Sequence, residues 1–218
     1  MRYLYATTKW FFDAGAIRIT FFDRAIRGLS VPVAGTVLFL FLLVVPVLAA
    51  PLSAAEPALP AFGEGAVEVR VYTDYFCGPC GAEEREVTAV IAELVAKNRI
   101  RVIFIDTPLF PETVLYAEYF LAALNAKRQF DQAVTARAAL FEAAGLKIRE
   151  KDKLESFLAK KGLEIRPFDT APVFAVYSKY IKEDRIKSTP TVVTLGPQGK
   201  QTLGDKQQIL KALNELRK

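Results

Sequence analysis

The sequence VEVRVYTDYFCGPC, residues 67–80, decides the fold class of this 218-residue chain. Its first half, Val67 to Thr73, is rich in β-branched residues and predicts a strand. Its last four residues, Cys77-Gly78-Pro79-Cys80, contain the only two cysteines of the chain, and a helix-like sequence follows them. A C-x-x-C pair at a strand-to-helix junction is typical of reversible dithiol–disulfide chemistry.

The sequence after the cysteines predicts an α/β domain. Apolar residues at spacings of three and four predict a helix over 81–98, and the apolar run IRVIFID predicts a buried strand over 100–106. A strand, a helix and a strand in succession imply that the two strands pair in parallel. Prolines and glycines then separate four predicted helices, over 112–126, 130–144, 150–161 and 171–183. The chain ends in a predicted hairpin over 191–203 and a helix capped by Asp205.

Composition excludes several classes of function. The chain has no histidine, which removes Ser-His-Asp and Cys-His catalysis. Two thiolates alone do not complete a tetrahedral zinc shell, so we predict no metal site. Dithiol–disulfide exchange needs no organic cofactor, so we predict none. Much of the net charge of +5 lies in residues 1–28, which carry five basic and two acidic residues. No basic stripe marks the rest of the chain, so we predict no nucleic-acid partner.

The N-terminal part contains a targeting segment. Residues 31–50, VPVAGTVLFLFLLVVPVLAA, are almost wholly apolar, and as a helix they would span about 30 Å, the thickness of a hydrocarbon core. With Arg24 and Arg27 before it, this run predicts a cytoplasmic tail over 1–28, a transmembrane signal anchor over 29–50 and an exported remainder. The alternative is a cleaved signal peptide, with small-residue cleavage sites over 47–49 or 53–55. Residues 51–66 are rich in proline, glycine and alanine and are predicted to be a linker.

The order of elements resembles the thioredoxin fold, and the helical segment at about 107–184 resembles the insertion of DsbA-like thiol-disulfide oxidoreductases. The resemblance rests on C-G-P-C, on the segment Tyr72 to Phe76 before it, and on Thr189-Pro190 before the hairpin. It implies a thioredoxin-like domain over 67–218, with Cys77 as the attacking cysteine, Cys80 as the resolving cysteine and a cis-proline at Pro190 facing them. It also implies an extracytoplasmic enzyme that exchanges disulfides with cysteine-containing exported proteins, and a membrane redox partner that recycles the cysteine pair.

The residues of the motif fit this chemistry. Free N–H groups and the positive end of a helix dipole would favour a thiolate at Cys77. Pro79 suits the first turn of a helix, and Gly78 would let another backbone approach closely. The alternatives are a structural disulfide, which would close too short a loop to stabilise the fold strongly, and half of a zinc site.

Five neighbours complete the candidate site. By the resemblance, Thr189 and Pro190 would contact the substrate. Tyr75 and Phe76 would line a substrate groove or, alternatively, pack in the core. Asp74 would support the active site as a proton shuttle or, alternatively, cap a turn or lie in solvent.

The direction of electron flow stays open between oxidase and reductase. Thioredoxins carry a buried acid six residues before the first cysteine, and this chain has Val71 there. The Gly78-Pro79 dipeptide matches thioredoxin, and Asp74, Glu83 and Glu84 would oppose a thiolate at Cys77. We therefore expect a weaker oxidant than the typical DsbA-like enzyme. The competing class is a non-enzymatic binding module on a thioredoxin-like scaffold, with the helical insertion as its interaction surface.

Overall fold

The computed structural model of the chain describes residues 59–217. Within this range no helix is both long enough and apolar enough to cross a membrane. The predicted cytoplasmic tail, the predicted signal anchor and the first part of the predicted linker lie outside the described residues.

A five-stranded mixed sheet in the order β1-β3-β2-β4-β5 forms the centre of the described part. Its strands are β1 (Ala61–Phe62), β2 (Val67–Thr73), β3 (Ile100–Asp106), β4 (Thr191–Gly196) and β5 (Gly199–Leu203). β2 and β3 pair in parallel, as predicted, with Thr73 opposite Asp106, and β4 runs antiparallel to β2. Because β2 is the central strand, the C-G-P-C sequence that follows it leaves the middle of the sheet, at the carboxyl end of the parallel pair.

The helices agree closely with the sequence prediction. They are α1 (Gly78–Ala96), α2 (Thr113–Ala126), α3 (Phe130–Gly145), α4 (Lys151–Lys160), α5 (Ala171–Glu183) and α6 (Lys206–Glu215). Helices α2 to α5 lie between β3 and β4, where the helical insertion was predicted. Helix α1 begins at Gly78 rather than Gly81, because Gly78-Pro79-Cys80 itself forms the first turn. Asp205 caps α6 as predicted, accepting hydrogen bonds from the backbone N–H groups of the second and third residues after it.

The folded domain begins before Val67, where the prediction placed the end of a linker. Ala61 and Phe62 form β1, which pairs antiparallel with β3, and the Phe62 side chain is buried. A Cβ added at Gly63 would lie 2.3 Å from the carbonyl oxygen of Ile100, and one at Gly65 would lie 2.1 Å from the Ile100 nitrogen. The glycines that suggested a linker therefore allow the backbone to approach the start of β3.

One hydrophobic core joins the sheet to the insertion. The ring of Phe104 in β3 lies 6.4 Å from that of Phe120 in α2 and 6.3 Å from that of Phe130 in α3, measured between ring centres. Helix α1 packs against β3, α3 and α6. The helix that carries the cysteines is therefore in contact with both the sheet and the insertion.

Candidate active site

Cys77 lies between β2 and α1 and is the N-cap of that helix. Its Sγ accepts a hydrogen bond from the backbone N–H of Cys80 at 3.4 Å and donates one to the carbonyl oxygen of Thr189 at 3.3 Å. The Thr189–Pro190 peptide bond is cis, as the resemblance implied. The Cys80 N–H is one of the free donors of a helix N-terminus, so a thiolate formed at Cys77 would keep a hydrogen bond that stabilises it.

Cys80 lies in the first turn of α1 and is almost fully buried, with 1% of its surface exposed. Burial, and after it the hydrogen bond with Cys77, raises the pKa of Cys80 to about 12. The Thr189 hydroxyl and the Asp74 backbone act against this rise without cancelling it. Cys80 is therefore a protonated thiol at neutral pH. This suits it to the role of resolving cysteine, which reacts after Cys77 has formed a mixed disulfide.

The Asp74 side chain is fully buried and caps a turn. Its Oδ1 accepts a hydrogen bond from the Phe76 N–H at 2.8 Å. Its Oδ2 accepts three more, from the N–H groups of Leu109 at 2.8 Å and Phe110 at 3.3 Å and from the Thr113 hydroxyl at 2.7 Å. These contacts favour the capping interpretation over a proton shuttle, and the burial excludes a solvated side chain. Asp74 fastens the loop between β3 and α2 to the segment before Cys77.

The two aromatic residues before Cys77 have different surroundings. Tyr75 is 3% exposed, and its ring centre lies 4.9 Å from that of Phe141, so it packs mainly in the core. Phe76 is half-buried, and its ring centre lies 6.4 Å from that of Phe110. Phe76, Phe110 and Cys77 line an open cavity of about 330 Å³, which Tyr75 touches with its small exposed fraction. Of the two aromatic candidates, Phe76 is the one placed to meet a substrate.

Gly78 and Pro79 lie exposed between the two cysteines. Apart from Gly78 itself, its two chain neighbours and the nearby backbone of its own helix, no atom lies within 4 Å of the position that a Cβ would take at Gly78. The space in front of the motif is therefore open to an incoming chain. Pro79 occupies the first turn of α1, where a backbone N–H is not needed.

Sequence reasoning missed a buried charged cluster made by Arg137, Glu84 and Asp106. Arg137 of α3 is fully buried and donates to Glu84 of α1 through Nε at 2.8 Å and through Nη2 at 2.7 Å. Its Nη2 also donates to the Thr73 hydroxyl at 3.1 Å, and its guanidinium carbon lies 4.4 Å from the ring centre of Phe104. The ion pair of Arg137 and Glu84 therefore connects α3 of the insertion to α1, the helix that carries the cysteines.

Asp106, at the end of β3, is the third member of this cluster. It is 2% exposed, and its Oδ1 lies 3.9 Å from Nη1 of Arg137, within ion-pair range but too far for a hydrogen bond. Burial raises the pKa of Asp106 to about 7, although the Arg137 charge and the Tyr75 hydroxyl favour its carboxylate. Asp106 therefore changes its protonation state near neutral pH.

Two of the three acids near Cys77, Glu84 and Asp74, have partners that offset their negative charge. The Glu84 charge is taken up by Arg137, and the Asp74 carboxylate accepts four hydrogen bonds. Burial raises the pKa of Glu83, and Lys206 opposes that rise. These partners weaken the expected repulsion between the acids and a thiolate at Cys77.

No group of three or more potential metal ligands comes together within residues 59–217.

The folded part of the chain is similar to known proteins. The family model Thioredoxin_4, described as Thioredoxin, matches residues 63–212. No curated protein matches the chain by sequence.

Several solved structures share the fold, and two of them serve as examples. The α-DsbA1 protein of Wolbachia pipientis superposes with a TM-score of 0.56 at 15% identity, over 73% of this chain and 91% of that one. A periplasmic thioredoxin-like protein of Salmonella enterica serovar Typhimurium superposes with a TM-score of 0.56 at 16% identity, over 75% of this chain and 92% of that one. At these identities the likeness concerns the fold, and it confirms the predicted thioredoxin-like class.

Proposed function

Because the chain belongs to the thioredoxin family, we propose that it is a thiol-disulfide oxidoreductase that acts outside the cytoplasm on cysteine-containing exported proteins. The observation that carries the proposal is the placement of Cys77. Its sulfur caps α1, lies 3.4 Å from the Cys80 nitrogen and 3.3 Å from the Thr189 oxygen, and lines an open cavity. Phe76, Thr189 and Pro190 are the proposed substrate contacts, and Asp74 supports the site by position.

The exchange needs only the two cysteines of the enzyme and two of the substrate. In the oxidising direction, a substrate thiolate attacks Cys77 Sγ of the Cys77–Cys80 disulfide, and Cys80 leaves as a thiolate that takes up a proton. A second substrate thiolate then attacks the substrate sulfur of the mixed disulfide and releases Cys77. The substrate loses two electrons and forms a disulfide, and the enzyme pair gains the two electrons. The reducing direction is the reverse.

The Gly78-Pro79 dipeptide, which matches thioredoxin, supports the expectation of a weak oxidant. The raised pKa of Cys80 makes it a poor leaving group, which affects the rate at which a substrate thiolate opens the Cys77–Cys80 disulfide. Equilibration with glutathione measures the reduction potential. We expect a value well below about −120 mV, the potential of DsbA, and closer to about −270 mV, that of thioredoxin. A value near −120 mV would contradict this part of the proposal.

The activity itself is tested by insulin-disulfide reduction and by refolding of a reduced disulfide protein. The wild type should catalyse at least one of these reactions, and Cys77→Ala should reduce it to the uncatalysed rate. Ser178→Ala removes an exposed hydroxyl from α5 and serves as the control. If neither reaction depends on Cys77, the chain is instead a binding module on a thioredoxin-like scaffold.

We also propose that residues 29–50 anchor the domain to the membrane, with a membrane redox partner that recycles the cysteines. Support comes from the apolar run after Arg27 and from the periplasmic description of the Salmonella neighbour. N-terminal sequencing of the exported protein should find the intact N-terminus, whereas a start at Ala50 or Glu56 would show signal-peptide cleavage. A Cys80→Ala variant should trap the partner as a mixed disulfide in the membrane fraction, and its absence there would argue against such a partner.

A further inference from the structure

The carboxylate of Asp184 lies at the C-terminus of α5, at the start of the turn that joins this helix to β4. It is buried, and three side chains of the sheet contact its two oxygens. Tyr72 and Arg70 of β2 both donate hydrogen bonds to Oδ2, the second at 3.1 Å. The Lys200 ammonium of β5 lies 2.6 Å from Oδ1. Asp184 therefore connects the end of α5 to the central strand and to the edge strand of the sheet.

The place of this carboxylate is unfavourable without its partners. The C-terminus of a helix carries a partial negative charge, which repels a carboxylate. Burial acts to raise the pKa of Asp184, but the hydrogen bonds from its three partners, Lys200 first, hold that pKa below its usual value. Arg70 is fixed from a second side as well, because its guanidinium carbon lies 3.8 Å from the ring centre of Tyr180 in α5. The carboxylate is therefore ionised, and it is held by charged contacts.

Two contacts join the same pair of chain segments at both ends. One segment runs from Tyr72 to Cys77 and the other from Asp184 to Thr189, and each contains six residues. At their first residues, the Tyr72 hydroxyl donates to Asp184. At their last residues, the Cys77 thiol donates to the Thr189 carbonyl oxygen at 3.3 Å. The position of that carbonyl relative to the sulfur thus depends on where the second segment begins.

The turn between Asp184 and Thr189 has little to hold it apart from its ends. Three of its four residues, Arg185, Lys187 and Ser188, are exposed, and Ile186 alone packs against the core. Arg185 has a φ of 54°, in the left-handed region that is unfavourable for residues other than glycine. A turn of this kind keeps its shape only if its first residue is anchored.

We propose that Asp184 is a positioning residue for disulfide exchange, and that it acts by holding the Thr189 carbonyl against the Cys77 thiol. The inference rests on the proposed function, because it concerns the redox equilibrium of the same cysteine pair. In the reduced pair the thiol donates to this carbonyl, whereas the sulfur of a disulfide has no proton to donate. A fixed carbonyl therefore stabilises the reduced pair, and releasing it makes the pair more reducing.

The test replaces Asp184 by asparagine in the full-length protein. The asparagine oxygen can take the Oδ2 position, but its NH₂ group then faces the Lys200 ammonium, and two donors meet. The end of α5 consequently loses its contact with β5, and the turn is released.

The readout is the equilibrium of the cysteine pair with glutathione. Oxidised glutathione takes two electrons and two protons from the reduced pair and becomes two thiols, and the pair becomes a disulfide. In Asp184→Asn we expect this equilibrium to shift about fivefold toward the protein disulfide, the effect of about one lost hydrogen bond. For a two-electron couple the shift corresponds to a potential more negative by about 20 mV.

The matched control is Glu183→Gln, which removes the same charge at the adjacent position of α5. The Glu183 side chain is exposed and lies 3.8 Å from Lys179, one turn earlier in the helix. This variant should leave the equilibrium with glutathione unchanged. Tyr72→Phe removes only the hydroxyl at the other side of the contact and should shift the equilibrium in the same direction as Asp184→Asn. The double variant should shift it by less than the product of the two single shifts, because both remove one contact.

The outcomes separate positioning from a purely structural role. If urea denaturation shows that Asp184→Asn is less stable while its equilibrium with glutathione equals that of the wild type, Asp184 only stabilises the fold and the inference is overturned. An equal shift in Glu183→Gln would also overturn it, since the effect would then be one of general charge. Should Asp184→Asn not fold, Tyr72→Phe decides by the same criterion. These failures leave the proposed function intact, whereas a wild type that catalyses neither insulin reduction nor refolding would remove the proposed function and this inference with it.

Discussion

Replacing Asp74 by asparagine tests whether this carboxylate holds the cysteine-bearing segment against the insertion. Its Oδ2 accepts three hydrogen bonds, and its Oδ1 accepts one from the Phe76 N–H. Asparagine can place its one oxygen at the Oδ2 position, but its NH₂ group then faces the Phe76 N–H, and two donors meet. The three hydrogen bonds at the Oδ2 position weaken by about 1 kcal/mol each, because their acceptor changes from a charged carboxylate to a neutral amide. The unpaired buried donor costs about 1–3 kcal/mol more. Since these contributions overlap, we expect the free energy of unfolding to fall by about 4 kcal/mol.

The measurement is urea denaturation of the reduced protein. The control, Asp131→Asn, changes an exposed acid of α3 and should alter the free energy of unfolding by no more than about 0.5 kcal/mol. Asp74→Asn should also slow disulfide exchange, because Phe76 and the backbone before Cys77 lose their fixed position. A loss of stability below about 1 kcal/mol would refute the reasoning and would show that packing of Phe76 against Phe110 is sufficient to hold the segment.

Three further perturbations test other features of the domain. The folded pKa of Asp106, about 7, lies above its unfolded value of about 4. Asp106 should therefore contribute a loss of about 3 kcal/mol of unfolding free energy as pH rises from about 4 to about 7, and urea denaturation across this range should show that Asp106→Asn lacks this contribution. In the reduced protein at pH 8, iodoacetamide should modify Cys77 far faster than Cys80, whose pKa of about 12 leaves about one thiol in 10⁴ ionised; equal labelling by mass spectrometry would contradict the burial of Cys80. Gly65→Ala should lower the melting temperature, because its Cβ would lie 2.1 Å from the backbone of the first residue of β3; an unchanged temperature would mean that Gly65 is a linker residue.

Most of the secondary structure could be predicted, because apolar residues recur at helical spacing in the helices and β-branched and apolar residues are concentrated in the strands. The strands over 67–73 and 100–106 begin and end where the sequence placed them. Strand β1 was not predictable, because two residues show no alternation and the flanking glycines are typical of linkers. What makes those glycines necessary is the backbone of Ile100, which is remote in sequence.

The site was predictable only in part. The spacing of the two cysteines and the helix after them identified the reactive pair, and the resemblance supplied Pro190. Asp74 was recognised as a candidate, but its partners in the loop before α2 could not be known before the chain was folded. Arg137 was missed because its partners come from three other elements. The available signal was its position as a lone charge among the buried residues of α3.

The buried cluster changes the argument about redox strength. At the position six residues before Cys77 the chain has Val71, which lies opposite Phe104, so the sheet provides no acid there. Two residues further along both strands, Thr73 lies opposite Asp106, and Arg137 from the insertion contacts both. The same guanidinium neutralises Glu84, which would otherwise place a negative charge on the helix of the cysteines. Without the insertion, Glu84 and Asp106 would both lose the Arg137 charge, so the electrostatic environment of this active site depends on how α3 packs. The expectation of a weak oxidant therefore rests less on acids near Cys77 than on the Gly78-Pro79 dipeptide, which matches thioredoxin.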